Sequence, residues 1–293
     1  MALLFFGHHT TTKETHKMKT KENIKTILAI IFSLFMGNEL IMLLGLLFPK
    51  QIHAILPSNA NIRSFIVELI GALISVGLIF LFRKTHVLKI SGKGMKEGLI
   101  CGVPLIILYS LVLLLGLSEI PGKTLIPAVE IALIFIRFIL IGVAEEGLFR
   151  GVIQELFMDI FGKNTRKGIL LSIVFASTLF GLNHFQNLIA GVNLLIVLVQ
   201  VASAIASGLL FGAIAFRSGR IIWPMVLIHA LIDASGFVYG GMLWGVSDVD
   251  SVNSLDPRSL IMIPIFVGIY IFLMRKSKTE SVVNEGISAE ALV

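Results

Sequence analysis

Two adjacent carboxylates and an arginine, Glu145, Glu146 and Arg150, directly follow an apolar run from Leu125 to Val143. Charges in such surroundings are expensive and usually carry function. On a helix Glu146 and Arg150 stand four residues apart on one face, acid first, which is the favourable order for an ion pair. Glu145 projects about 100° away, on the face of Phe149. Glu146 is therefore expected to be held by Arg150, leaving Glu145 free to face a cavity. Two further polar pairs lie in apolar surroundings: His184, one turn after Phe180, and His229 with Asp233, again one turn apart. Glu and His together suit activation of water, because a general base needs hydrogen-bond reach and a tuned pKa. Taken singly, each has a plainer reading. A lone intramembrane His is about as often a helix-to-helix hydrogen-bond partner, and a Glu–Arg pair is more often structural than catalytic. Their meeting in the second half of the chain, on three different spans, is what points to a site.

The elements that must position these groups are membrane helices. The chain of 293 residues is 56% hydrophobic and 14% charged, with a mean hydropathy of +0.94. A soluble domain carries about 25% charged residues. The expected fold class is all-α: a polytopic transmembrane helix bundle of about eight spans. Apolar runs of membrane length recur near Ile27–Phe48, Ser64–Phe82, Gly98–Leu117, Leu125–Val143 and onward, Gly168–Asn183, Leu188–Phe216, Ile221–Leu243 and Leu260–Met274. Residues 1–26 read as a disordered cytoplasmic tail, 27–274 as one membrane domain with its functional core at about 125–240, and 275–293 as a second cytoplasmic tail. Met18 is an alternative start to Met1.

Basic residues cluster in alternate gaps between the runs: before the first, then after the second, fourth, sixth and eighth. The positive-inside rule then places both termini in the cytoplasm of a multi-pass integral membrane protein, in the plasma membrane if the source is prokaryotic. The net charge of +6 is explained by these flanks and does not call for nucleic acid. The lone Cys101 excludes an intrachain disulfide and reads as a small buried hydrophobe. Glu39, Glu130 and Arg137, also inside apolar runs, read as mostly structural, the last two as helix bridges.

Other membrane-enzyme signatures are missing. The sequence holds no H-E-x-x-H zinc motif and no glycine-rich phosphate loop. Small residues at four-residue spacing, Ala204, Gly208 and Gly212, and Gly147 with Gly151, predict close helix contacts.

Three ordered motifs resemble those of the CPBP (CAAX protease and bacteriocin-processing, or Abi) family. These are E-E-x-x-x-R at Glu145, Glu146 and Arg150, F-x-x-x-H at Phe180 and His184, and H-x-x-x-N/D at His229 and Asp233. The resemblance covers roughly 125–235. It implies an intramembrane endopeptidase in which Glu145 and His184 activate water, Glu146 and Arg150 orient that pair, and His229 and Asp233 hold the developing oxyanion. Asp233 stands where Asn is the amide donor, and an ionised carboxylate cannot donate. It would be protonated, orient His229 or ligate metal.

Family members are often described as metalloproteases. A Glu/His water mechanism requires no cofactor, yet Glu145, His184, His229 and Asp233 could also form a zinc site with an open position. The expected partners are a membrane-associated peptide or protein substrate and the lipid bilayer. The alternative is a catalytically silent immunity or regulatory partner of the same family. By helix rise His184 lies about 25 Å from the Lys167 end and His229 about 14 Å from Arg220, so a tilted or broken helix is expected to unite them.

Overall fold

The computed structural model describes residues 22–36, 44–45 and 47–290. The tail at 1–21, Glu39, part of the first apolar run and 291–293 lie outside the described residues. Within them every regular element is helical. Residues 22–34 are helical, and a short helix, Pro49–Ile55, follows. The main elements are α1 (Ala60–Leu81), α2 (Gly92–Ser118), α3 (Ala128–Glu146), a π-helical segment (Gly147–Ile153), α4 (Gln154–Phe161), α5 (Arg166–Asn183), α6 (Leu194–Arg217), α7 (Trp223–Tyr239), α8 (Met262–Leu273) and α9 (Lys276–Glu290).

Polar side chains start several of these helices by satisfying free amide donors. Asn59 accepts from the Ile62 amide, Ser91 from Gly94, Thr165 from Gly168 and Asn193 from Leu195. The last of these explains why the run read as Leu188–Phe216 becomes a helix only from Leu194. A 3-10 turn at His184–Leu188 and Gly191, at φ +96°, break the chain before Asn193 restarts it.

Helix α7 lies against α2 and α3, α6 against α5 and α8, and α1 covers α3 and the π segment. Missing side chains allow these approaches. A Cβ at Gly142 would meet the Val226 carbonyl at 2.8 Å, and one at Gly181 would meet the Val201 carbonyl at 2.8 Å. Neither backbone can yield, so α3–α7 and α5–α6 pack closer than any side chain would permit. The expected contacts at Gly208 and Gly212 are present, against Ser177 and Ile173 of α5. The core runs from Ile79 through Phe149, Ile173, Leu210 and Ile214 to Met225. Leu73, Phe80, Ile107, Leu114, Ile139 and Leu195 point outward, the apolar exterior of a protein solvated by lipid.

Among the described residues four helical stretches are long and apolar enough to cross a membrane: α1, α2, α5 extended to Leu188, and α6. The pair Pro257–Leu273 and Lys276–Val283, bent by 52°, would make a fifth. The eight expected spans are thus only partly matched, for physical reasons. Helix α3 is apolar but carries Glu130, Arg137, Glu145 and Glu146. Helix α7 has 17 residues and α8 has 12, and 17 residues rise about 26 Å against a hydrocarbon core of about 30 Å. Glu130 and Arg137 bridge outward and not to each other. Glu130 accepts from Asn61 of α1 at 2.6 Å, and Arg137 pairs with Asp248 at 3.0 Å. Cys101 is a free, half-buried thiol.

Candidate active site

The site begins where α3 stops being an α-helix. From Gly147 to Ile153 the backbone takes the wider π form, and all seven residues are buried. Such segments are rare and recur at functional sites. A Cβ at Gly147 would clash with Ser75 of α1, and Gly151 abuts Ile79 and Val87. The two glycines thus let α1 press on the widened turn.

Glu146 is completely buried, and its Oε2 lies 3.1 Å from Arg150 Nε. The ion pair read from their spacing is therefore present. The Arg150 guanidinium also lies over the Phe180 ring at 4.3 Å and near Phe211 at 5.4 Å, where an aromatic face favours a cation. Its Nη2 reaches the Gly208 carbonyl at 3.5 Å. Arg150 is thus tied at once to α3, α5 and α6.

The other oxygen of Glu146 meets His229 of α7. Nδ1 of His229 lies 2.8 Å from Glu146 Oε1, while Nε2 lies 3.4 Å from Glu145 Oε2 and 3.7 Å from Asp233 Oδ2. Three carboxyl groups therefore surround one imidazole, with Arg150 behind one of them. An ionised Glu146 can only accept, so Nδ1 donates to it. Nε2 then either donates, as imidazolium, or accepts from a protonated carboxyl. Both states hold a proton at the mouth of the cluster. Glu145 makes no ion pair with Arg150 within 4 Å, and a quarter of its side chain remains exposed.

His184 closes α5 and opens the 3-10 turn. Its Nδ1 is 3.0 Å from the Phe180 carbonyl. A carbonyl accepts only, so Nδ1 carries the proton and Nε2 presents a lone pair in the neutral ring. His184, His229 and Asp233 line one cavity of about 210 Å³. The two histidines are thus brought to one space. Helix α5 itself runs unbroken to Asn183, and the irregular backbone lies in the π segment after α3 and in the 3-10 turn at His184. Glu145 and His184 make no direct ion pair within 4 Å. Glu145 is beside His229, and no carboxylate lies within 4 Å of His184 among the described residues.

Several site groups escaped the reading of the sequence. Tyr109, Gln200, Ser203 and Ser207 line the same cavity. Glu68 of α1 lies within electrostatic reach of Glu145, Asp233 and Arg137. An acid inside the apolar run Ser64–Phe82 was the available signal for it. As for the four zinc candidates, no group of three His, Cys, Asp or Glu side chains among the described residues is arranged to hold a metal ion. With Nδ1 of His229 turned to Glu146 and Nε2 to two carboxylates, these side chains as placed form a proton-sharing cluster.

Residues 127–235 match the family model for Rce1-like type II CAAX prenyl endopeptidases. This segment is similar to the CPBP/CAAX protease family. It takes in α3, the π segment, α4 to α6 and most of α7, hence all seven motif residues, and leaves α1, α2, α8 and α9 outside. A comparison with curated proteins gave no match. That family is one of proteases, and the apolar helices suit an integral membrane protein.

Proposed function

We propose that the Rce1-like domain hydrolyses a peptide bond in a membrane-associated peptide or protein, by water activated between Glu145 and His184. The observation that carries this reading is the convergence of three separated motifs on His229 and on the cavity it shares with His184. In this mechanism His184 Nε2 and Glu145 take the proton of a water seated between them. The water oxygen attacks the scissile carbonyl carbon. His229 Nε2–H donates to the oxyanion, and Asp233 keeps its ring turned to the cavity. The C–N bond then breaks, and the stored proton passes to the leaving amine. Glu146 and Arg150 hold the frame. Only protein groups and water take part.

The experiment compares the membrane proteome and secreted peptides of cells carrying the wild type or Glu145→Ala. A substrate that accumulates uncut only with the variant is the expected result. Identical profiles would favour a silent partner protein. Purified active enzyme with stoichiometric zinc, inactivated reversibly by chelation, would overturn the metal-free chemistry.

The proposed setting is a bundle crossing the membrane about eight times with both termini cytoplasmic. The alternation of basic gaps supports it. Reporter fusions after Lys25, Lys93, Arg220 and Lys276 should all read cytoplasmic, and one external signal would refute this topology.

A further inference from the structure

A second cavity, of about 500 Å³, lies away from the proposed catalytic one and shares no lining residue with it. Arg217 on its wall stands ten residues beyond Ser207 of the first cavity on the same helix, about 15 Å along α6. Its wall carries His86, Lys89, Lys93, Lys163, Arg217 and Arg220, with Glu97 the one acid among the lining residues.

Some of this charge is already balanced. Buried Glu155 pairs with both Arg220 and His86, and Lys93 stands 4.0 Å from Glu97. Lys89 and Arg217 have no acidic partner within 4 Å among the described residues. Arg217 Nε is moreover buried without a hydrogen-bond partner. A buried cationic N–H without an acceptor is costly and calls for an explanation, such as an anion.

The rest of the wall is apolar: Phe216, Ile221 and, from α9, Val282 and Val283. Cations beside an apolar face suit an amphiphilic anion better than a bare one. The cavity also lies at the ends of α6 and α2 that carry the basic flanks, where lipid headgroups are expected.

We infer that this cavity binds a phosphate group, held by Arg217 and Lys89 and supplied by an anionic phospholipid whose glycerol and upper acyl chain rest on the Val282–Val283 wall. The volume falls within the range of small-molecule sites. The inference stands apart from the hydrolytic chemistry, since none of its residues belongs to the proposed active site.

The test is binding of fluorescent phosphatidylglycerol to the full-length protein in phosphatidylcholine nanodiscs, with inorganic phosphate as competitor. Saturable binding is expected, insensitive to millimolar inorganic phosphate. Arg217→Gln should weaken it about tenfold or more, since it removes charge-assisted hydrogen bonds. Lys89→Gln, at an exposed position where folding is not at risk, should weaken it severalfold. Displacement by inorganic phosphate, with the same dependence on Arg217, would make a free phosphate the occupant and overturn the lipid assignment. Absence of saturable binding, or Lys89→Gln binding as tightly as wild type, would overturn the site.

Discussion

Glu145→Gln is expected to leave a folded protein that cleaves its substrate about 10²-fold or more slowly. The substitution keeps the side chain's volume and removes its ability to take a proton. Glu145 is the right acid to choose because it is the less committed of the adjacent pair. It makes no ion pair with Arg150 within 4 Å, a quarter of its side chain is exposed, and its link to His229 is a 3.4 Å approach. Glu146, by contrast, is completely buried between Arg150 and His229. Glu146→Gln should therefore disturb the fold and the chemistry together. The measurement is cleavage of an identified substrate beside thermal unfolding in detergent. Glu145→Gln that cuts within a few-fold of wild type would assign the base to His184 alone. A protein that loses binding as well as cleavage would make Glu145 a substrate contact.

Arg150→Ala should cost about 3–5 kcal/mol of stability, because it strands a buried carboxylate. The loss reaches three helices at once. The Glu146 contact on α3, the ring faces of Phe180 and Phe211 on α5 and α6, and the Gly208 carbonyl all face the removed guanidinium. Arg150→Lys should recover only part of it, since an ammonium cannot serve all these directions as a planar fork does. Activity should fall with stability across the two variants. An Arg150→Ala protein as stable as wild type but inactive would show that Arg150 acts on the substrate itself.

The catalytic candidates were legible because each is a polar group interrupting an apolar run, and such interruptions need only hydropathy to be seen. The Glu146–Arg150 pair was legible because helical spacing alone predicts it. The bond from Glu146 to His229 was not, since it joins residues 83 apart in sequence and neither end carries a local sign of the other. Glu68 carried its sign, an acid among apolar neighbours, but no motif around it. The span count was hardest to read. Hydropathy sees apolar runs, whereas crossing a bilayer also depends on where a helix starts, as Asn193 shows, and on its length, as α7 shows. The π segment left no trace in periodicity, because Leu148, Phe149, Val152 and Ile153 fit an ordinary helical face.

That widened turn makes the span behave like two cams on one shaft. A π-turn accommodates an additional residue by widening, so the surplus is taken up where it stands and α3 and α4 keep the phase they would have without it. Deleting one residue within 147–153 to restore a plain α-helix should therefore leave Glu155 on Arg220 and His86 and Glu146 on His229. What it would remove is the bulge under Ser75 and Ile79 of α1. A deletion outside the segment has no such slack, and would swing everything beyond it by about 100°. The widened turn is thus the one stretch of this helix whose length can change without throwing its two ends out of step.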